Sequence, residues 1–373
     1  MSSLSKINQT VEEILTEEEL KAKLSSKKPL KHYIGFEISG KVHVGQGLMA
    51  MRAIKSLQEA GVETTCFLAD WHSYINRKLG GDMATIRVVA KSYFKEALTA
   101  SALCVGADPE KLNFVLASDI YNADYWATVL AVASNMTLSR SKRSLDIAGR
   151  SVGDEAHLSL FFYPAMQAAD IFHMGIDIAH AGTDQRKAHV VARAVAPKLR
   201  REKPIALHHH LIQGLSKPPT IENTSDGGSK ADSSEVKHNR RDLATALKMS
   251  KSKPDSAVFI HDSPDTIKAK IAKAFCPPRE TDLNPIIDWT RHLIFPLKGE
   301  FVLNRDSKHG GVKTYKTADN LNRDYEADHI HPQDLKNNVA AYLIDILSPA
   351  YKHFQQPAQK KALQRLEEIR ITR

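Results

Sequence analysis

The chain has 373 residues, 42% hydrophobic and 25% charged. That is the balance of a soluble globular protein of two or three domains, or one large domain with an appendage, and it excludes wholesale disorder or a collagen-like repeat. Fifty-two Lys and Arg against 43 Asp and Glu give a formal charge of +9, an excess that favours a polyanionic partner such as nucleic acid. No apolar run approaches the about 18 residues of a membrane helix. The glutamate-bearing N-terminus, with Glu12, Glu13, Glu17, Glu18 and Glu19, is no signal peptide. The scattered Cys66, Cys104 and Cys276 form no C-x-x-C pair, which fits a reducing, cytoplasmic setting.

Val11, Ile14, Leu15, Leu20 and Leu24 predict a helix over 11–24. Tyr33-Ile34-Gly35-Phe36 predicts a strand, followed by a glycine-bearing turn and a helix through Leu48, Met51, Ile54 and Leu57 that ends at Gly61. Val62 to Ala69 reads as the next strand, so the unit is a right-handed βαβ crossover. The alternation continues through a strand at Leu112–Leu116, helices over 121–148, a strand at Ile176–Ala179, a helix from about Gln185 to Val195 and a strand at Ile205–Leu207. Such alternation predicts an α/β fold with a doubly wound parallel sheet.

Residues 216–246, with Pro218, Pro219, Gly227 and Gly228 and few large apolar residues, break the pattern and read as a flexible surface insertion. Ser263-Pro264-Asp265 then opens a helix with Ser as N-cap and Pro at its first position; Ile267, Ile271 and Phe275 form its stripe, and Pro277-Pro278 stop it. Leu335, Val339, Leu343 and Ile346 line one face of a later helix. The expected division is a Rossmann-like domain over 1–280, with the insertion inside it, and a mostly helical C-terminal domain over 281–373.

Two segments carry chemistry. Gly40-Lys41-Val42-His43-Val44-Gly45-Gln46 lies between a strand and a helix. The helix start offers unpaired N–H groups and a positive dipole end to a phosphate, Gly45 permits close approach, and His43 can donate to a phosphate oxygen. The spacing matches neither G-x-G-x-x-G nor a P-loop, and a plain strand-to-helix turn has the same composition. Lys248-Met249-Ser250-Lys251-Ser252 places two lysines and two hydroxyls in five residues, able to neutralise charge on departing phosphates; alone, such a run is ordinarily a solvated surface. His208-His209-His210 does not make a metal site, because neighbours on a strand point to opposite faces and no carboxylate or Cys cluster accompanies them.

Together the two segments resemble the class I aminoacyl-tRNA synthetases. Tyr33-Ile34-Gly35-Phe36-Glu37, Leu68-Ala69-Asp70-Trp71-His72, Tyr163 to Ile171 and Gly182-Thr183-Asp184-Gln185-Arg186-Lys187 sharpen the match. So do Ala274-Phe275-Cys276-Pro277 and His331-Pro332-Gln333-Asp334-Leu335-Lys336. They resemble tyrosyl-tRNA synthetases of the archaeal and eukaryotic kind, over nearly the whole chain except 216–246.

The resemblance implies ATP-dependent attachment of L-tyrosine to tRNA(Tyr) through tyrosyl-adenylate. ATP is then a substrate with Mg2+ on its phosphates, no metal is bound by the protein, and the enzyme is a cytoplasmic homodimer with no membrane contact. It assigns Tyr33 and Asp170 to the substrate phenol, Tyr163, Gln167 and Gln185 to the α-amino group, and Glu37 to a further tyrosine-side position. Gly45, Gly182, Asp184 and Lys251 fall to ATP. His43, Gln46, Lys248 and Lys251 fall to catalysis, and Arg186, His309, His331, Asp334 and Lys336 to tRNA. The basic run Arg140-Ser141-Lys142-Arg143 suits either an acceptor stem or a dimer interface.

The chain departs from the family pattern at three places. Gln46 stands where a second histidine is usual, and it can donate a hydrogen bond but carries no charge. Phe67, Ile120 and Tyr121 differ at positions expected near the tyrosine side chain. His309 precedes Gly310-Gly311 where a phenylalanine is familiar, and histidine too can stack on a base. A tryptophanyl-tRNA synthetase shares the implied architecture, and a weakened paralogue acting as an RNA-binding protein is a third reading; Tyr33 with Asp170 favours a phenol, and the intact Lys248–Ser252 motif favours an enzyme.

Overall fold

The computed structural model describes residues 2–26, 28–148, 157–218, 247–249 and 254–369. Most of the expected insertion, together with Lys251, lies outside them. The chain forms two compact units: Met1–Val42, Met49–His210 and Lys352–Arg373 make the first, and His43–Leu48 with Leu211–Tyr351 the second. The boundary expected at residue 280 falls inside the second unit. The helix Pro357–Glu368, expected with the C-terminal domain, belongs to the first, where Phe354 packs on Tyr93 at 5.6 Å between ring centroids and His353 and Gln359 both reach Glu96.

The first unit is built on a six-stranded sheet ordered β1-β6-β5-β2-β3-β4, from β1 (Glu13–Leu15), β2 (Lys31–Glu37), β3 (Glu63–Ala69), β4 (Leu112–Leu116), β5 (Ile178–Gly182) and β6 (Ile205–His209). All neighbours pair in parallel except β1, which runs antiparallel to β6. The doubly wound α/β expectation therefore holds. Chain order runs outward on both sides of the β2–β5 pair, so the crossover direction reverses there, and ligands in such sheets bind at the carboxyl ends of the strands flanking that point. Those ends are Glu37 and Gly182.

The helix predicted over 11–24 is corrected: Glu13–Leu15 is a strand, and the helix spans only Glu17–Ser25. Tertiary partners override local periodicity here. Ile14 pairs across to Leu207, and Arg193 donates to the Leu15 carbonyl at 3.0 Å. Glu13 accepts from Arg186 and sits 2.9 Å from His208 Nδ1. Burial alone would raise the Glu13 carboxyl, but the hydrogen bonds to His208 and Arg186 outweigh it and hold it at about 2. The fifth strand is also displaced, to Ile178–Gly182 from the expected 176–179.

The second unit holds the helix Pro264–Lys273, which Ser263 caps through Thr266 N as expected, with Ile267 and Ile271 buried. Its stripe is shorter than predicted, since Phe275 lies beyond the helix and is half-buried. The helix Pro332–His353 buries Leu335, Val339, Leu343 and Ile346. A two-stranded hairpin, β7 (Phe301–Leu303) with β8 (Lys313–Tyr315), interrupts this mostly helical region. Among the described residues no helix is long and apolar enough to cross a membrane.

Buried imidazoles thread the first unit. His32 Nε2 lies 3.2 Å from His180 Nδ1, and His180 Nε2 lies 2.8 Å from His209 Nδ1, a diagonal across β2, β5 and β6. On the helix Arg186–Val195, His189 meets His208 at 3.0 Å. Successive His208 and His209 thus serve opposite faces of the sheet. Burial holds these rings neutral, with His32 and His72 pushed down to about 3, His209 to about 4, and His180 and His189 well below the usual value. In the unfolded chain they titrate near ~6.5. Their contribution is complete above that pH and falls as pH drops through it, by about 1.4 kcal/mol per unit for each ring. Asp170, raised to about 7, works in the opposite sense but is a single group. Urea unfolding should therefore show a markedly lower midpoint at pH 5.5 than at pH 7.5; an unchanged midpoint would mean the rings are not held neutral.

Candidate active site

In the first unit the helix Tyr163–His173 places Tyr163, Gln167 and Asp170 on one face, at the spacing of successive turns. Tyr33 from the middle of β2 stands in the same buried cluster as Phe67, Ala165 and Ala169, with Ile120 and Tyr121 packed against it. Tyr33 meets Phe67 edge-on at 6.0 Å, and Tyr121 stacks on Tyr125 at 3.5 Å.

Asp170 is the buried charge of this pocket. Tyr121 donates its hydroxyl to Asp170 Oδ1 at 2.6 Å. Burial raises the Asp170 carboxyl to about 7, against the lowering effect of Tyr121 and Tyr125. Tyr33 is held well above the usual phenol value, by burial first and the Asp170 charge second. Tyr163 is raised by burial and then by Glu37, Asp170 and Asp184, so its ring lies in a field of carboxylates. Such a field suits a bound ammonium group. Gln167 Oε1 is buried with no hydrogen-bond partner among the described residues. Gln185 donates its amide to the Ile147 carbonyl at 2.8 Å, which keeps its Oε1 available as an acceptor.

At the strand ends, Glu37 accepts from Asn76 at 2.6 Å and pairs with Lys78 at 3.2 Å. Gly182 closes β5, and Asp184 lies in the 3₁₀ turn Thr183–Gln185 that follows. Arg186 departs from its expected tRNA role in one respect: its guanidinium is engaged by both oxygens of Glu13, at 2.9 and 2.7 Å.

His72 belongs in this pocket, and the sequence reading gave it no role. It is buried, its Nε2 is 3.7 Å from Asp170 Oδ2, it meets Tyr163 edge-on at 4.6 Å, and neither ring nitrogen has a hydrogen-bond partner among the described residues. The signal that could have found it is its place just after β3, at the carboxyl end of a parallel strand.

In the second unit His43 begins the helix Val44–Glu59. Its Nδ1 accepts from Gln46 N at 3.1 Å, and its carbonyl accepts from the Gln46 and Gly47 amides. An accepting Nδ1 puts the ring proton on Nε2, as a donor. A side chain at Gly45 would crowd that ring, with a Cβ 3.3 Å from Nδ1. Gln46 Oε1 is buried without a partner among the described residues. The turn is held from outside by Val258, whose carbonyl accepts from Val44 N at 3.0 Å.

Lys248 reaches the same neighbourhood through backbone pairing. Gly214 N donates to Leu247 O at 2.8 Å and Met249 N to Ile212 O at 3.2 Å, bringing Lys248 opposite Gln213. Ile212 is also the residue nearest the open side of Gly45, 3.6 Å from a Cβ there. One short segment, 212–214, thus meets Gly45 and the start of the lysine motif at Leu247–Met249.

Further along, His331 caps the helix Pro332–His353, its Nδ1 accepting from Gln333 N at 3.1 Å. Asp334 and Lys336 follow on the first turns, with Lys336 donating to the Ala272 carbonyl at 3.0 Å. His309 is exposed in the turn Ser307–His309. Arg305 donates to both the Gly311 and the His329 carbonyls, tying the turn after His309 to the one before His331.

A family model described as tRNA synthetases class I (W and Y) matches residues 25–348. The tyrosine–tRNA ligase of Thermococcus kodakarensis is 50% identical, over 97% of this chain and 96% of its own. The crystal structure of tyrosyl-tRNA synthetase from Pyrococcus horikoshii, complexed with L-tyrosine, is 46% identical and covers 98% of this chain and 100% of that one, with a TM-score of 0.90. The tyrosyl-tRNA synthetase of Aeropyrum pernix is 39% identical over 98% of both chains, with a TM-score of 0.81. The chain belongs to the class I tRNA synthetases of the tryptophan and tyrosine group, and within that group to the tyrosyl-tRNA synthetases.

Proposed function

We propose that the chain activates L-tyrosine with ATP and transfers the tyrosyl group to tRNA(Tyr). A carboxylate oxygen of tyrosine attacks the α-phosphorus of ATP and pyrophosphate leaves. A hydroxyl of the terminal ribose of the tRNA then attacks the tyrosyl carbonyl, and AMP leaves. Both displacements depend on positioning and charge neutralisation more than on covalent help from the protein. ATP enters as a substrate with Mg2+ on its phosphates.

The observation that carries this reading is Asp170, a carboxylate 1% exposed beside an aromatic cluster and hydrogen-bonded by the phenol of Tyr121. A second phenol is a fitting ligand for its remaining lone pairs. Tyr33 and Asp170 read the substrate hydroxyl, Tyr163, Gln167 and Gln185 face its ammonium group, and Glu37 supports the same end. Gly182 and Asp184 take the ribose. His43, Gly45, Gln46, Lys248 and Lys251 handle phosphates, Gln46 as a neutral donor in the place of a histidine. Catalysis belongs to residues 1–280. Residues from 281 onward read the anticodon, through His309, His331, Asp334 and Lys336, while Arg186 acts near the acceptor end. The enzyme works as a homodimer in the cytoplasm, and the half-exposed Trp126 and exposed Leu130 on one helix suit a subunit interface.

Tyrosine-dependent ATP–pyrophosphate exchange, run in competition with tryptophan, tests the reading directly. Exchange driven by tryptophan, or by no amino acid, would refute it. Because the ionised Asp170 is the better acceptor, kcat/KM for tyrosine should rise as pH increases through about 7, and Asp170→Asn should abolish that step. A pH profile equally steep in the variant would place the titrating group elsewhere.

Specificity offers an independent check. Phenylalanine leaves unfilled the position on Asp170 that the substrate hydroxyl would take, a cost of about 1–3 kcal/mol or more for a charged group. Asp170→Ala should lower kcat/KM for tyrosine by about 100-fold, roughly 2.7 kcal/mol, and leave the slow phenylalanine reaction nearly unchanged. Gln167→Ala should weaken both amino acids alike, since both carry the same ammonium group. Retained preference for tyrosine in Asp170→Ala would mean the phenol is read by another residue.

A further inference from the structure

Gln213 is gripped from behind. Its amide donates to Asp288 Oδ2 at 3.0 Å, and its carbonyl accepts from Trp289 Nε1 at 2.8 Å. The two side chains are consecutive on the short helix Pro285–Trp289, which Asn284 caps through the Ile286 and Ile287 amides. Trp289 is fully buried and Asp288 is 8% exposed. On its other edge the same segment pairs with the start of the lysine motif, through Gly214 N to Leu247 O and Met249 N to Ile212 O.

The geometry is that of a strand used on both edges. In an antiparallel pair alternate residues turn their backbone groups to opposite sides. Ile212 and Gly214 turn theirs toward Lys248, and Gln213 turns both of its own toward the helix. Gly214 allows the tight approach, since a Cβ there would lie 3.4 Å from the Ser256 carbonyl and 3.5 Å from the Leu247 carbonyl. A cavity of about 470 Å³ adjoins the grip on the helix side, lined by Gln213, Asp288, Arg291 and His292 among others. On that side the two side-chain hydrogen bonds, to Asp288 and from Trp289, take up both of the Gln213 backbone polar groups.

We propose that Asp288 and Trp289 are positioning residues for Lys248. They fix the Ile212–Gly214 segment, and that segment fixes the backbone from which Lys248 acts on phosphate. The start of the lysine motif, at Leu247–Met249, is thereby held by a helix outside the region assigned to catalysis. The inference rests on the activation reaction proposed above. A displacement of about 1 Å at a reacting group can cost on the order of 100-fold in rate, so loosening the grip should be felt in kcat.

Asp288→Ala should lower kcat for tyrosine-dependent ATP–pyrophosphate exchange by about tenfold or more, with KM for tyrosine within about twofold of the parent. Asp288→Asn, whose amide oxygen still accepts from Gln213 N, should recover most of the rate. The decisive measurement is a double-mutant cycle with Lys248→Ala. If Asp288 acts through Lys248, its loss costs little once the lysine is gone, whereas independent losses multiply. Multiplying losses, or a tyrosine KM that rises in step with the fall in kcat, would overturn the proposal. Trp289→Phe loosens the carbonyl side and is read in the same way if Asp288→Ala does not fold. A parent enzyme silent with tyrosine would count against the activation reading alone. The grip is then read from hydrogen exchange of the Gly214 and Met249 amides: lost protection in Trp289→Phe supports it, and unchanged protection overturns it.

Discussion

Parallel pairing on both sides of β2 is the constraint on which the first unit depends. Lys31 to Glu37 run alongside Glu63–Ala69 on one side, and His32 to Ile34 alongside Ile178–His180 on the other. In a parallel sheet whose crossover helices cover both faces, a central strand is buried on both sides, and Tyr33, Ile34 and Phe36 are all nearly inaccessible. It also sets the point where the winding reverses. Tyr33, Glu37, Gly182 and Asp184 are brought near one another by that reversal, although they come from opposite halves of the unit's sequence. Sheet topology, more than any single motif, is what makes a pocket of them.

Burial then sets the electrostatics. A carboxylate removed from water is costly unless it is hydrogen-bonded, and Asp170 answers with Tyr121 while remaining raised to about 7. The same low-dielectric surroundings keep the imidazoles of β2, β5 and β6 neutral, and neutral rings can hydrogen-bond one another in a chain where charged rings would repel. Glu13 shows the other outcome. Paired with Arg186 and His208 at the edge of the sheet, it stays ionised at about 2 despite being half-buried. Whether a buried acid is neutral or charged is decided here by its neighbours, residue by residue.

The second unit works by backbone pairing. The segment 212–214 has no distinctive sequence, yet Gly45 approaches it on one side, Lys248 pairs along it, and Asp288 and Trp289 hold its far edge. Main-chain hydrogen bonds need no particular side chain on the segment itself. A stretch as plain as Ile212-Gln213-Gly214 can therefore organise residues that are conspicuous.

The alternation of strands and helices, the capped helix at Ser263 and the two phosphate-type motifs are legible in the sequence alone, because each rests on local rules: periodicity, capping and residue chemistry within a few positions. The family resemblance is legible for a related reason, since its motifs are short and ordered along the chain. What was not legible depends on residues far apart. Glu13–Leu15 is a strand because Arg193 and β6 engage it, against a helical pattern of its own. That Tyr121 bonds Asp170, 49 positions along the chain, is likewise a matter of which elements pack together. His72 joins the pocket although, within the motif Leu68–His72, nothing in its own chemistry set it there. By itself the sequence determined which elements form and which chemical groups are in hand; only the tertiary structure decided which of those groups meet, because desolvation and hydrogen bonding act between neighbours in space, whatever their separation along the chain.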